Sequence, residues 1–146
     1  MIAFTQYFVE KTILGLEETI YIDGIGQISA KLDTGNGAYN VLHGEDITQD
    51  GEMVRFTTEK GVVLEKPISD HITIHVGAGN SEDRPVVILN VKIGGKVFRD
   101  IPFSIGDRSG NTHKVLIGKN FIQNKLDALI DVSLVDVASK NMEVNV

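Results

Sequence analysis

The chain has 146 residues, 42% apolar and 23% charged, with 20 acidic against 14 basic side chains and a formal net charge of −6. That acidity opposes general attraction to nucleic acid or an anionic membrane surface, so neither is expected as a partner. No cysteine is present, which excludes disulfides and thiolate metal sites.

No apolar run reaches the ~18 residues of a membrane span. The first residues lack the basic segment and long apolar stretch of a secretory signal. A cytoplasmic protein is therefore expected. The length suits one domain, able to bury roughly two-thirds of the surface its unfolded form exposes.

In chain order, Thr19 to Ile22 reads as a strand, followed by a turn at Gly24-Ile25-Gly26. In the next run, Ile28, Ala30 and Leu32 share one side while Gln27, Ser29 and Lys31 share the other. That period of two is a half-buried strand. Tyr39 to Leu42 is a further strand. Met53 to Thr58 and Val62 to Lys66 flank Glu59-Lys60-Gly61 as a hairpin. Ile72 to Val76 is short and β-branched. Val86 to Ile93 and Lys96 to Ile105 flank Gly94-Gly95, the clearest hairpin signal in the chain. Val115 to Ile117 and Ala128 to Val132 are short strands, with one short helix between them over 118–124. Lys140 to Val146 reads equally as an interface strand or a frayed end. The pattern is all-β, with edges that need closing or covering. Phe56, Phe98, Phe103 and Phe121 sit in apolar patterns and belong to the core.

Between two of these strands stands Asp33-Thr34-Gly35. Asp often closes a turn by bonding its own backbone, and Gly supplies unusual dihedrals, so the triplet alone suits a structural turn. Its order with later segments adds a functional reading. Val115-Leu116-Ile117-Gly118 leads into the short helix, as a late apolar strand does beside the catalytic turn of an aspartic peptidase.

These segments resemble the retropepsin-like aspartic peptidases. The closer similarity is to the bacterial family labelled "ATP-dependent zinc protease", whose members include enzymes that trim glutamates from a ribosomal protein tail. The matching pieces are Ile28 to Gly35, Leu42-His43, Val54-Arg55-Phe56, Arg84-Pro85-Val86-Val87, Asp107-Arg108-Ser109, Leu116-Ile117-Gly118-Lys119 and Ile130-Asp131. They occur in family order over about residues 20 to 133. The resemblance implies a single retropepsin-like domain over 1–146, a closed small β-barrel of acid-protease type, and an aspartic peptidase. It implies catalytic Asp33, Thr34 and Gly35, with no cofactor and no metal.

Only one Asp-Thr-Gly occurs, and Asp131 lacks a following Thr/Ser-Gly. The second carboxylate is therefore expected from a two-fold homodimer. Asn36, Arg84 and Arg108 are expected to bind a peptide or protein-tail substrate, the arginines through bidentate contacts to carboxylates. Two stretches could cover the cleft: Val76 to Asp83 and the Glu59-Lys60-Gly61 hairpin. Asn36 and Tyr39 beside the turn keep a second reading open: an inactive retropepsin fold used for peptide binding or for phage or other assembly.

Rival chemistries are weak. No His-Glu-x-x-His motif exists, and His71 and His75 in one strand would stand roughly 13 Å apart, too far to share a zinc ion. His43 reads as structural or groove-lining. There is no phosphate-binding Gly-x-x-x-x-Gly-Lys motif and no serine elbow.

Overall fold

The computed structural model describes residues 11–138, so the expectation for Lys140 to Val146 falls outside them. Eleven strands run β1 (Thr12–Ile22), β2 (Gly26–Asp33), β3 (Asn40–His43), β4 (Glu45–Asp50), β5 (Met53–Thr57), β6 (Val63–Pro67), β7 (Asp70–Gly77), β8 (Asn80–Ile93), β9 (Lys96–Gly106), β10 (Val115–Gly118) and β11 (Ala128–Val135). Helix α1 (Lys119–Phe121) passes directly into a π-helical turn, Ile122–Leu126. The turn ends where Asp127 enters the left-handed region (φ 47°) and donates its N–H to the Ile122 carbonyl. Among the described residues no helix is long and apolar enough to cross a membrane.

Eight strands form one sheet in the order β11-β1-β2-β10-β3-β9-β8-β7, and β4-β5-β6 form a second. The far end of β1 also meets β8, at Tyr21↔Lys92 and Ile22↔Val91. This curls the large sheet back on itself. The expected closed barrel is met only in part, because a seam of two residue pairs does not make a clear closed barrel. The rest of β1 is committed elsewhere, to β2 over Glu17–Ile22 and to β11 over Thr12–Glu17.

The alternation in β2 sets the inside of the curl. Ile28, Ala30 and Leu32 are buried, while Gln27 and Ser29 face water. Ile20, Val87, Leu89, Phe103, Ile105, Val115 and Ile117 meet them in one core. Phe56 and Phe103 are fully buried, and Phe121 packs edge-on against half-buried Phe98 at 5.1 Å. The Gly94-Gly95 hairpin is present between β8 and β9, with both glycines at positive φ (58° and 84°) as a two-residue primed turn requires.

Three parts differ from the sequence expectation. β1 begins seven residues before Thr19. β4 is a strand although its side chains are nearly all exposed and polar. The expected loop at Val76 to Asp83 is instead the tight end of the β7–β8 hairpin, with Gly77, Ala78 and Gly79 all at positive φ.

A buried carboxylate ties the ends of the described chain together. Glu18 is fully buried; its Oε2 accepts the Gly15 N–H at 2.7 Å and its Oε1 the Ala138 N–H at 2.9 Å. Charge-assisted bonds of this kind offset the desolvation of a carboxylate. Glu18→Gln puts an amide donor against one of these N–H groups. Urea unfolding should show a loss of about 1–3 kcal/mol, and an unchanged midpoint would contradict this role.

Candidate active site

Asp33 is the last residue of β2, and its place is set by β10. These strands run parallel with Ile117 opposite Leu32 and Gly118 opposite Asp33. After Asp33 the chain turns sharply: the Asn36 N–H bonds to the Asp33 carbonyl at 3.1 Å, and the Lys119 N–H to the Asn36 carbonyl at 2.8 Å. The Gly118 N–H donates to the buried Asn40 Oδ1 at 2.7 Å. A Cβ on Gly118 would sit 3.0 Å from the Asn36 carbonyl oxygen and 3.3 Å from that of Ala38. Glycine therefore lets the turn fold down onto β10.

Asp33 is half-buried, while Thr34 and Gly35 are exposed. The Gly35 N–H donates to Asp33 Oδ1 at 3.2 Å. A carboxylate thus stands at the rim of the molecule on a turn whose hydroxyl and glycine face outward. The Asn36 side chain is engaged within the loop at both ends: Nδ2 donates to the Tyr39 carbonyl (3.1 Å), and Oδ1 accepts the Ala38 N–H (2.9 Å).

Both arginines named from the sequence lie on this side. Arg84, in β8, lies against Gly106 at the end of β9; a Cβ there would be 2.7 Å from the guanidinium carbon. Its Nη2 donates to Glu82 at 3.3 Å, and its buried Nε has no partner among the described residues. Arg108 follows two residues after Gly106, and its Nε donates to the His113 carbonyl at 2.9 Å. Burial, and then the neighbouring Arg84 charge, lower the Arg108 guanidinium from its ordinary value, while Asp33 raises it. Arg108 remains a cation. Arg84 and Asp33 thus each lie within electrostatic reach of Arg108, a convergence that no local motif announces.

The two possible covers are separated by the fold. The Glu59-Lys60-Gly61 tip lies beside the start of β2, where a Cβ on Gly26 would be 3.8 Å from Lys60 Nζ. Seven residues of strand separate that point from Asp33, about 23 Å. The β7–β8 hairpin is rooted at the site instead. It carries Arg84, and its first residue, Asp70, accepts a 2.7 Å hydrogen bond from the Tyr39 hydroxyl.

Beside the turn lies a groove of about 410 Å³ whose walls include Ala38, Tyr39, Ile72, Pro102 and Phe121. Sequence reasoning missed this groove, because its walls come from four separate segments. His71 is exposed and pairs with Asp83 at 3.3 Å, and among the described residues no cluster of His, Asp and Glu could hold a metal ion.

A curled β-sheet with Asp-Thr-Gly at a strand end, backed by a late strand, glycine and short helix, is a retropepsin-like peptidase-type fold. A family model for the RimB-like proteins, described as "Retropepsin-like aspartic endopeptidase RimB", matches residues 13–141, and the chain belongs to that family. It is 28% identical to the Legionella pneumophila protein Lpg0085, of unknown function, whose crystal structure superposes with a TM-score of 0.71 over 88% of this chain and 99% of that one. It is also 25% identical, over 92% of its length, to a probable alpha-L-glutamate ligase of Desulfotalea psychrophila. The chain spans 32% of that longer relative.

The tie between Tyr39 and Asp70 has a spectroscopic signature. The hydrogen bond to Asp70 raises the Tyr39 phenol above its ordinary 10.0, and the same bond lowers the Asp70 carboxyl below its ordinary 3.8. The tie is therefore complete between those two values. It is lost as pH rises through the raised phenol value, or falls through the lowered carboxyl value. Alkaline absorbance titration of wild type, Asp70→Asn and Tyr39→Phe should show the Tyr39 component titrating earlier in Asp70→Asn. Coincident curves for wild type and Asp70→Asn would contradict the contact.

Proposed function

We propose that the protein is a homodimeric aspartic peptidase that hydrolyses acidic peptide or protein-tail substrates. The observation that carries this is the half-buried Asp33 carboxylate, held on an exposed Asp-Thr-Gly turn by the β2–β10 register. Two protomers related by a two-fold axis would bring their Asp33 carboxylates together. Thr34, exposed in one protomer, would find its hydroxyl partner across that boundary. The end of the sheet that bears Asp33 also exposes a registered apolar pair, Leu129 on edge strand β11 and Ile13 on its neighbour β1. Such an edge suits burial against a second copy.

In the dyad, the two carboxyl groups share one proton because both cannot ionise cheaply at that distance. The ionised member takes a proton from a bound water as the water oxygen bonds to the peptide carbonyl carbon. The protonated member donates to the developing oxyanion. The tetrahedral species then collapses. The C–N bond breaks, the amine leaves with a proton from the dyad, and the other product is a carboxylic acid. The β7–β8 hairpin, rooted on the Asp33 side and bent at three positive-φ residues, serves as the cover that keeps bulk solvent from the bound substrate and its one attacking water.

Arg84 and Arg108 support the choice of an acidic substrate. They bring two cations together, with Asp33 within reach of Arg108, in a molecule whose net charge is −6. The buried, unpartnered Arg84 Nε leaves donor capacity there. The glutamate named in the ligase relative's description is consistent with the same chemistry. Asn36 acts as the brace of the turn.

Asp33→Asn should abolish hydrolysis of a glutamate-rich peptide, by at least about 10³-fold in kcat, while the variant sediments as wild type does. Equal rates for both forms would defeat the catalytic assignment and favour the retropepsin fold as a peptide-binding or assembly module.

Arg84→Ala and Arg108→Ala should each lower kcat/KM for a glutamate-rich peptide by about 10- to 100-fold, the worth of one charge-assisted hydrogen bond. A glutamine-rich peptide of equal length should change by less than about threefold. Parallel losses on both peptides would remove the arginines from substrate selection.

A further inference from the structure

We propose that His43 is a positioning residue for Arg108: its buried imidazole anchors the backbone of the loop after β9, and so keeps the Arg108 side chain on the Asp33 side of the molecule. This role rests on the reading of Arg108 as a substrate-facing cation.

His43 ends β3 and is 1% exposed. It lies in register with Gly106, the glycine that Arg84 covers. Its Nδ1 accepts the Arg108 backbone N–H at 2.8 Å, across 65 residues of chain. An acceptor at Nδ1 places the neutral ring's proton on Nε2, which faces Glu45 Oε1 at 3.1 Å. Both ring nitrogens are therefore used, and the ring cannot turn over without losing both bonds.

The loop carries its own internal bracing. Lys114 Nζ donates to the carbonyls of Arg108 (2.9 Å), Ser109 (3.1 Å) and Asn111 (2.7 Å), and Asp107 accepts the Ser109 N–H at 2.8 Å. These bonds give the loop its shape but do not join the Arg108 N–H to the sheet. His43 makes that connection. Asp107 Oδ1 stands 3.8 Å from the same Nδ1 and Glu45 faces the other nitrogen, so acidic groups flank the ring on both sides. A histidine that is buried and engaged at both ring nitrogens fits an anchor better than a general base, because neither nitrogen is free.

Two substitutions separate the anchor from simple packing. In His43→Asn the amide oxygen occupies the place of Nδ1 and keeps an acceptor for the Arg108 N–H. In His43→Gln the amide sits at the place of Nε2 and keeps the Glu45 contact instead. The full-length protein is compared in three measurements: hydrogen exchange at the Arg108 amide, affinity for a tetraglutamate peptide, and thermal unfolding.

The proposal expects His43→Asn to keep Arg108 protected and to bind tetraglutamate within about threefold of wild type. His43→Gln should lose the protection and bind about tenfold more weakly, since an untethered arginine must be ordered on binding. Three results would overturn it: equal behaviour of the two variants in all measurements, wild-type protection in His43→Gln, or lost protection without weaker binding. If wild type itself ignores tetraglutamate, the acidic-substrate reading fails, while the exchange arm still reports whether His43 holds the loop.

Discussion

The parallel register that sets Gly118 opposite Asp33 is the constraint on which the site depends. β10 contributes only four residues, yet it lies between β2 and β3 and binds both. Its apolar positions Val115 and Ile117 are fully buried, so the strand cannot slip by one residue without exposing them. Gly118 then presents its N–H to Asn40 and, having no side chain, admits the loop that follows Asp33. Core packing, a buried amide and a glycine together hold one carboxylate at the rim of the sheet. The chemistry proposed for Asp33 follows from that placement more than from the triplet itself.

A second constraint is electrostatic. An acidic molecule concentrates two arginines near its candidate nucleophile-activating group, one lying on Gly106 and the other two residues further along. Like charges at close range are costly unless something opposes them. Asp33 and Glu82 supply part of that opposition, and an acidic substrate would supply more. Under the proposed function, the two arginines would link the choice of substrate to the geometry of the turn.

Much of this arrangement was legible in the residues. The Ile28, Ala30, Leu32 alternation located β2 and its buried face because period-two burial leaves a direct trace in composition. Gly94-Gly95 marked its hairpin because that turn demands positive φ. Asp33-Thr34-Gly35, Gly118 and the short helix were recognisable as a series.

What escaped notice was non-local or polar. β4 has nearly every side chain exposed, so pairing with β5 holds it and hydrophobic patterning does not reveal it. The first turns of β1 hide behind Gly15 and two glutamates, one of which is buried only because Gly15 and Ala138 supply backbone donors. The bond between His43 and Arg108 spans 65 residues, and the walls of the groove beside Tyr39 come from four segments. Neither could be inferred from spacing. Ile72 to Val76 and Val86 to Ile93 were legible as strands, but the glycines and polar residues of Val76 to Asp83 obscured the hairpin that joins them.

The most direct test of the account is the separation of the two Asp33 carboxyl groups in a structure of the assembled homodimer. The account predicts oxygen atoms of the two side chains within hydrogen-bonding distance, about 3 Å, beside a water-accessible cleft. A dimer that holds these carboxyl groups more than about 10 Å apart, with no path by which the two turns could meet, would contradict it, because a proton cannot be shared across that gap.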